Sequence, residues 1–241
     1  MTIILVLLLG VVSCSLTVYF AAFLPILILK SRGQKQSTYA AESVAMPQRH
    51  GPSGISSLQL LLVCVVSFCV IAIVYDHDKL RMILASVFMV FAYSAAAIDS
   101  RTQLLFDDLV LPILWAGLVV NSFGSFATLH EAVAGAVCAY LLMWLIASLA
   151  KLFTKRATVG RGDFKFMAAI GAWFGYSIVL PTLWLAGVSF VIAAVIRKSV
   201  LKKKSDSNEY AMGPFLVLSA MFIQLVAIEL LALKMPFVIN T

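Results

Sequence analysis

The chain has 241 residues, of which 62% are hydrophobic and 12% charged. Soluble domains are roughly 45–50% apolar and about 25% charged, so a mean hydropathy of +1.02 marks an all-α integral membrane protein and excludes an ordinary soluble domain. The net charge of +7 does not describe a nucleic-acid surface either, because the basic residues sit in short loops beside apolar runs, as the positive-inside rule expects.

A spanning helix needs about 20 mainly apolar residues. The first such run, 2–29, ends at Lys30 and Arg32. Within it, Val11-Val12-Ser13-Cys14 loosely resembles a lipoprotein cleavage box, but no Lys or Arg precedes it and the apolar run continues past it. A secretory signal has a basic start and a shorter core, so residues 1–30 are expected to form an uncleaved first transmembrane helix. Residues 31–57, rich in Ser, Gln, Gly and Pro, read as a hydrophilic loop with no core of its own.

Further helices are expected at about 58–75 and 82–98, joined by the mixed-charge turn Asp76-His77-Asp78-Lys79. Asp99 follows at once. The next helix, about 109–122, carries Pro112 in its first turn, where proline is tolerated, and Asp107 or Asp108 is placed to cap it. A helix at about 131–150 leads into a basic loop with Lys151, Lys155, Arg156 and Arg161, which holds Gly160-Arg161-Gly162-Asp163. A short helix is expected over 164–176, with Gly171 and Gly175 at the spacing that lets helices approach closely. Helices at about 178–196 and 213–233 complete a set of about eight.

With eight helices, the loops at 30–57, 99–108, 151–165 and 197–212 share one side and hold 15 of the 18 Lys and Arg residues; Lys79, Arg81 and Lys234 fall opposite. That side is expected to be cytoplasmic, with both termini outside. Asp99 and Asp163 then come out on the same face. Cys14, Cys64, Cys69 and Cys138 lie inside apolar runs and form no CxxC pair, and His50, His77 and His130 show no ligand spacing, so no metal site is indicated.

Carboxylates at a membrane boundary are costly without a partner or a task. Two of them a few ångströms apart resist ionising together, which leaves one protonated. Such a pair can activate water for peptide hydrolysis: the ionised member takes a proton from water while the protonated one polarises the scissile carbonyl. The pair titrates as a unit. Gly160 and Gly162, lacking side chains, would permit a tight turn and the close approach of an extended substrate. Taken singly, Asp163 also suits a helix N-cap, and Asp99 a helix-end residue paired with Arg101 or Arg156.

The stretch Gly160-Arg161-Gly162-Asp163-Phe164-Lys165 resembles the G-x-G-D-x-K signature of type IV prepilin peptidases. Ile98-Asp99, followed by Gln103 to Pro112, is similar to that family's other aspartate segment, and Gly213-Pro214-Phe215 to the turn before its last helix. The resemblance covers most of 85–220. It implies a GxGD-type membrane aspartic peptidase, with 58–241 as the peptidase domain, Asp99 and Asp163 as catalytic pair, and Gly160, Gly162 and Lys165 shaping the site. It further implies a bacterial inner-membrane enzyme that cuts the short basic leader from prepilins or pseudopilins at the cytoplasmic face, for pili or type II secretion. Lys165 would support the site electrostatically or anchor the membrane surface. The loop 31–57 lacks the two CxxC pairs of many members, and Phe106 stands where the family usually has Pro. Peptide hydrolysis needs no cofactor; S-adenosylmethionine enters only if the chain also methylates the new N-terminus. The alternative is a non-catalytic membrane component of a pilus or secretion assembly, in which the aspartates only cap helices.

Overall fold

The computed structural model describes residues 57–75, 78–102, 105–154, 160–200 and 211–234. The expected first helix and the expected loop 31–57, apart from Ser57, lie outside these residues. Among the described residues the structure is entirely helical: α1 Ser57–Val74, α2 Lys79–Thr102, α3 Asp107–Ser122, α4 Leu129–Thr154, α5 Arg161–Phe174, a 3₁₀ turn Tyr176–Ile178, α6 Val179–Val200 and α7 Gly213–Lys234.

Local chemistry sets the helix starts. Asp78 caps α2, its Oδ1 accepting the Arg81 N–H at 3.1 Å. Thr128 and Glu131 form a reciprocal capping box at the head of α4: the Thr128 N–H donates to Glu131 Oε2 at 2.9 Å, and the Glu131 N–H to Thr128 Oγ1 at 3.3 Å. The expected cap of α3 is different. Its N-cap is Phe106, with no side-chain cap bond, and Asp107 and Asp108 occupy the first turn, where their charge favours the helix dipole. The second aspartate segment also differs, because α2 runs on to Thr102 with no Gly or Pro to stop it. Asp99 therefore sits in the last turns of a helix rather than in a loop.

Among the described residues, three helical stretches are long and apolar enough to cross a membrane: Lys79–Ser100, Leu129–Leu152 and Tyr176–Ile196. α4 and α6 turn large apolar side chains outward, among them Leu141, Trp144, Leu145 and Leu149, and Trp184, Val191, Ile192 and Val195. In lipid that surface is at home, since the hydrocarbon is as apolar as the side chains. α2 and α5 form the interior. α5 is buried from Phe166 to Phe174 without interruption, which is the mark of an enclosed helix. Its 14 residues extend roughly 21 Å at 1.5 Å per residue, short of a hydrocarbon layer about 30 Å thick.

Close backbone contact encloses α5. A Cβ on Gly135 of α4 would lie 2.5 Å from the Gly171 carbonyl oxygen, and one on Gly171 would strike the Gly135 carbonyl. Gly171 thus meets a glycine of another helix. Gly175 instead ends α5 at φ +82° and donates its N–H to the Gly171 carbonyl at 2.8 Å. On the opposite flank, Gly117 of α3 leaves room for the Trp173 indole, whose Nε1–H donates to the Ile113 carbonyl at 2.8 Å. Asn121 closes this join. Its Nδ2 donates to the Ala172 and Trp173 carbonyls at 2.8 and 2.7 Å, and its Oδ1 accepts the Phe126 and Ala127 N–H groups. Phe88 of α2 packs on Trp173 and Phe174 with ring centroids 5.1 and 5.0 Å apart.

These contacts fix direction. α3 and α5 run parallel, joined by Asp107 and Lys165 at their starts and by Asn121 at their ends. α4 runs against both. The end of α2 and the starts of α3, α5 and α7 therefore gather at one end of the bundle.

Replacing Gly171 or Gly135 with Ala should lower the melting temperature of the detergent-solubilised protein by several degrees, because overpacking of this kind costs about 1–3 kcal/mol. Gly187→Ala, where nothing lies within 4 Å of the added carbon, should leave it nearly unchanged. Thermal unfolding of the three variants measures both effects.

Candidate active site

Two carboxylates lie at the gathered end. Asp99 is 5% exposed and Asp163 7% exposed. Asp99 arrives on α2 behind the fully packed run Ala95–Ile98. Its Oδ2 accepts the N–H of Gly213, the first residue of α7, at 2.8 Å. Asp163 is the third residue of α5, and its Oδ2 reaches back to the Gly160 N–H at 3.2 Å. Its other oxygen, Oδ1, is buried with no hydrogen-bond partner. A buried acceptor without a donor costs free energy, and protonating the group removes part of that cost.

Asp163 is pushed up to about 7, first by burial and then by the negative charge of Asp99, against the opposing pull of the Gly160 N–H. Burial and the neighbouring charge both disfavour joint ionisation of the two carboxyls and favour a proton on the pair. This is the electrostatic arrangement of an acid–base pair.

The flanking residues take particular roles. At Gly162 an added Cβ would fall 2.7 Å from Leu105 Cβ. The space that the missing side chain leaves is filled by the segment entering α3, not kept open for substrate. Gly160 has φ −72° and ψ 147°, a conformation open to any residue, and its bare face lies 3.2 Å from Asp163 Oδ2. Lys165 donates to both oxygens of Asp107 at 2.8 Å. The side chains of this pair are 33% and 46% exposed, so it contributes at most about 1 kcal/mol, but it pins the starts of α3 and α5 together. Leu105, Asp107 and Gly213 were not legible as site residues from spacing. For Gly213 the available signal was the Gly-Pro turn ahead of the last helix.

Residues 86–196 match the profile of the type IV leader peptidase family. Over this stretch the chain is similar to that family. It is 43% identical over 124 residues to a prepilin leader peptidase/N-methyltransferase of Dickeya chrysanthemi, covering 52% of this chain and 44% of that protein. Proteins of the same name from Pseudomonas aeruginosa and Neisseria gonorrhoeae are 42% and 36% identical, over 51% and 55% of this chain and 42% and 45% of their own lengths. The chain thus spans less than half the length of these relatives. No solved structure matches it significantly.

The raised value of Asp163 has a consequence for stability. From about 3.8 to about 7 the folded protein keeps a proton that the unfolded chain has released, so stability falls as pH rises through this window and levels off above it. Asp163→Asn cannot lose that proton. Its melting temperature should therefore gain on the wild type progressively from pH 4 to pH 7.5, read by unfolding scans across that range.

Proposed function

We propose that the chain is a membrane aspartic endopeptidase that removes the short basic leader from type IV prepilins or pseudopilins, with Asp99 and Asp163 as its catalytic pair. The observation that carries this reading is the burial of the two carboxylates at one end of the bundle, near enough for the charge of Asp99 to raise Asp163. The match to the family profile supplies the reaction class. The substrate is taken from the names of the relatives.

In the reaction the singly protonated pair binds one water. The ionised carboxylate takes a proton as the water oxygen bonds to the scissile carbonyl carbon, and the protonated carboxyl gives its proton to the carbonyl oxygen. The tetrahedral intermediate then breaks its C–N bond. The proton taken from water passes to the leaving amine, and the hydroxyl proton returns to the pair, restoring its starting charge. Burial strengthens each of these transfers by excluding bulk water.

The architecture that suits this chemistry has about eight membrane helices, the one at 1–30 and seven over 58–241. Its reactive end faces the cytoplasm of a bacterial inner membrane, where the basic loops lie. α3 and α5 are short enough to be enclosed by the longer helices. Lipid and the prepilin are the partners. The relatives' second named activity, N-methyl transfer, would draw on S-adenosylmethionine. The one G-x-G turn among the described residues is filled by Leu105 and the Asp163 carboxylate and offers that molecule no cradle.

Co-expression with a type IV prepilin, followed by mass spectrometry of the pilin N-terminus, tests the reading. Wild type should remove the leader. Asp99→Ala and Asp163→Ala should insert normally yet lose cleavage by at least about a thousandfold, while Asp107→Ala should keep most of it. Normal processing by Asp163→Asn would overturn the assignment. With purified enzyme, cleavage should fall as pH rises through about 7, where the pair gives up the proton that the carbonyl needs.

A further inference from the structure

We propose that Gly213 is a positioning residue whose N–H holds Asp99 as the charged, water-activating member of the pair and leaves the shared proton on Asp163. The inference rests on the peptidase reading and adds the division of labour between its two carboxylates.

The two aspartates have unequal surroundings. Asp99 Oδ2 accepts a bond of 2.8 Å from the Gly213 N–H, a donor at the start of the 22-residue helix α7. The free N–H groups and the dipole of a helix start favour negative charge. Asp163 has the longer bond of 3.2 Å from Gly160, and its second oxygen has no donor. An oxygen without a donor is where a carboxyl proton does least harm, and from there it can be given to a substrate carbonyl. The charge acting on Asp163 is that of Asp99. Of the other described charged side chains on neighbouring elements, Lys165 is held by Asp107, Arg161 and Lys151 are exposed, and Asp108 is exposed on α3.

Gly213 is fitted to this task by what it lacks. A Cβ there would lie 2.8 Å from Asp99 Oδ2 and 3.3 Å from its Cβ and Cγ. The carboxylate occupies the space of the absent side chain, so any other residue displaces it from the N–H that it accepts.

The test uses the full chain in lipid nanodiscs with a type IV prepilin as substrate. Gly213→Ala should lower kcat about tenfold or more with KM within about twofold. It should also move the acid limb of the pH–rate profile upward by about one unit, because Asp99 loses the bond that favours its charged form. Gly187→Ala serves as the control that keeps wild-type values. A purely structural role for Gly213 would reduce the yield of folded protein but leave the pH profile of the remainder in place, and that result overturns the proposal, as does a wild-type kcat.

A second measurement is independent of turnover. In an Asp99→Ala background the added methyl meets no carboxylate, so Gly213→Ala should lower the melting temperature clearly when Asp99 is present and hardly at all when it is absent. Equal losses in the two backgrounds would overturn the contact. If Gly213→Ala alone does not accumulate, recovery of the double variant supports the proposal and its absence overturns it. Should the wild type cleave no prepilin, the peptidase reading fails while this coupling still reports on Asp99 and Gly213.

Discussion

The backbone approach of Gly135 to Gly171 is the contact on which the end holding the two aspartates depends. It lets α4 lie directly against α5, and with Gly117 making space for Trp173 on the other flank, a helix of 14 residues is enclosed by protein. Lipid offers little hydrophobic drive for helix association, so close packing and hydrogen bonds between helices must hold them. Both are present at α5: glycine on glycine at one face, and the Trp173 and Asn121 bonds at the other. Because α5 is fixed along its length, its third residue, Asp163, is fixed beside Asp99.

The carboxylates themselves work against stability. Each is nearly dry, and each makes the charge of the other harder to bear. What offsets this is local: each accepts an N–H from a helix start, Gly160 for Asp163 and Gly213 for Asp99. The arrangement stops short of full satisfaction, since Asp163 Oδ1 has no partner. A fold selected for stability alone would supply a donor there or replace the aspartate. Electrostatic strain at buried carboxylates is common where function requires it.

Much of this was readable in the sequence, because hydropathy reports directly on helices in a membrane protein. The expected 131–150 and 213–233 lie within the observed α4 and α7, and 178–196 departs by one residue at its start. What failed were features that depend on another segment of chain. Asp107 and Asp108 look like caps because they precede a helix; only the position of Lys165, 58 residues on, shows that Asp107 is an ion-pair partner. Gly171 and Gly175 share a familiar spacing, yet one makes an interhelical contact with Gly135 and the other ends its helix. Gly162 looks like an opening for substrate until Leu105 is found in that space. Spacing along a chain encodes helix faces, whereas the neighbour across a gap has no local signature.

The ion pair beside the site completes the electrostatic argument. Lys165 follows Asp163 by two residues on α5, and an ammonium close to a carboxylate favours its ionised form. Asp107 engages Lys165 through both oxygens, so its charge is largely matched. Burial and the charge of Asp99 then set the behaviour of Asp163. An exposed salt bridge of this kind contributes little to folding. What it does is tie the starts of α3 and α5 together beside the buried pair.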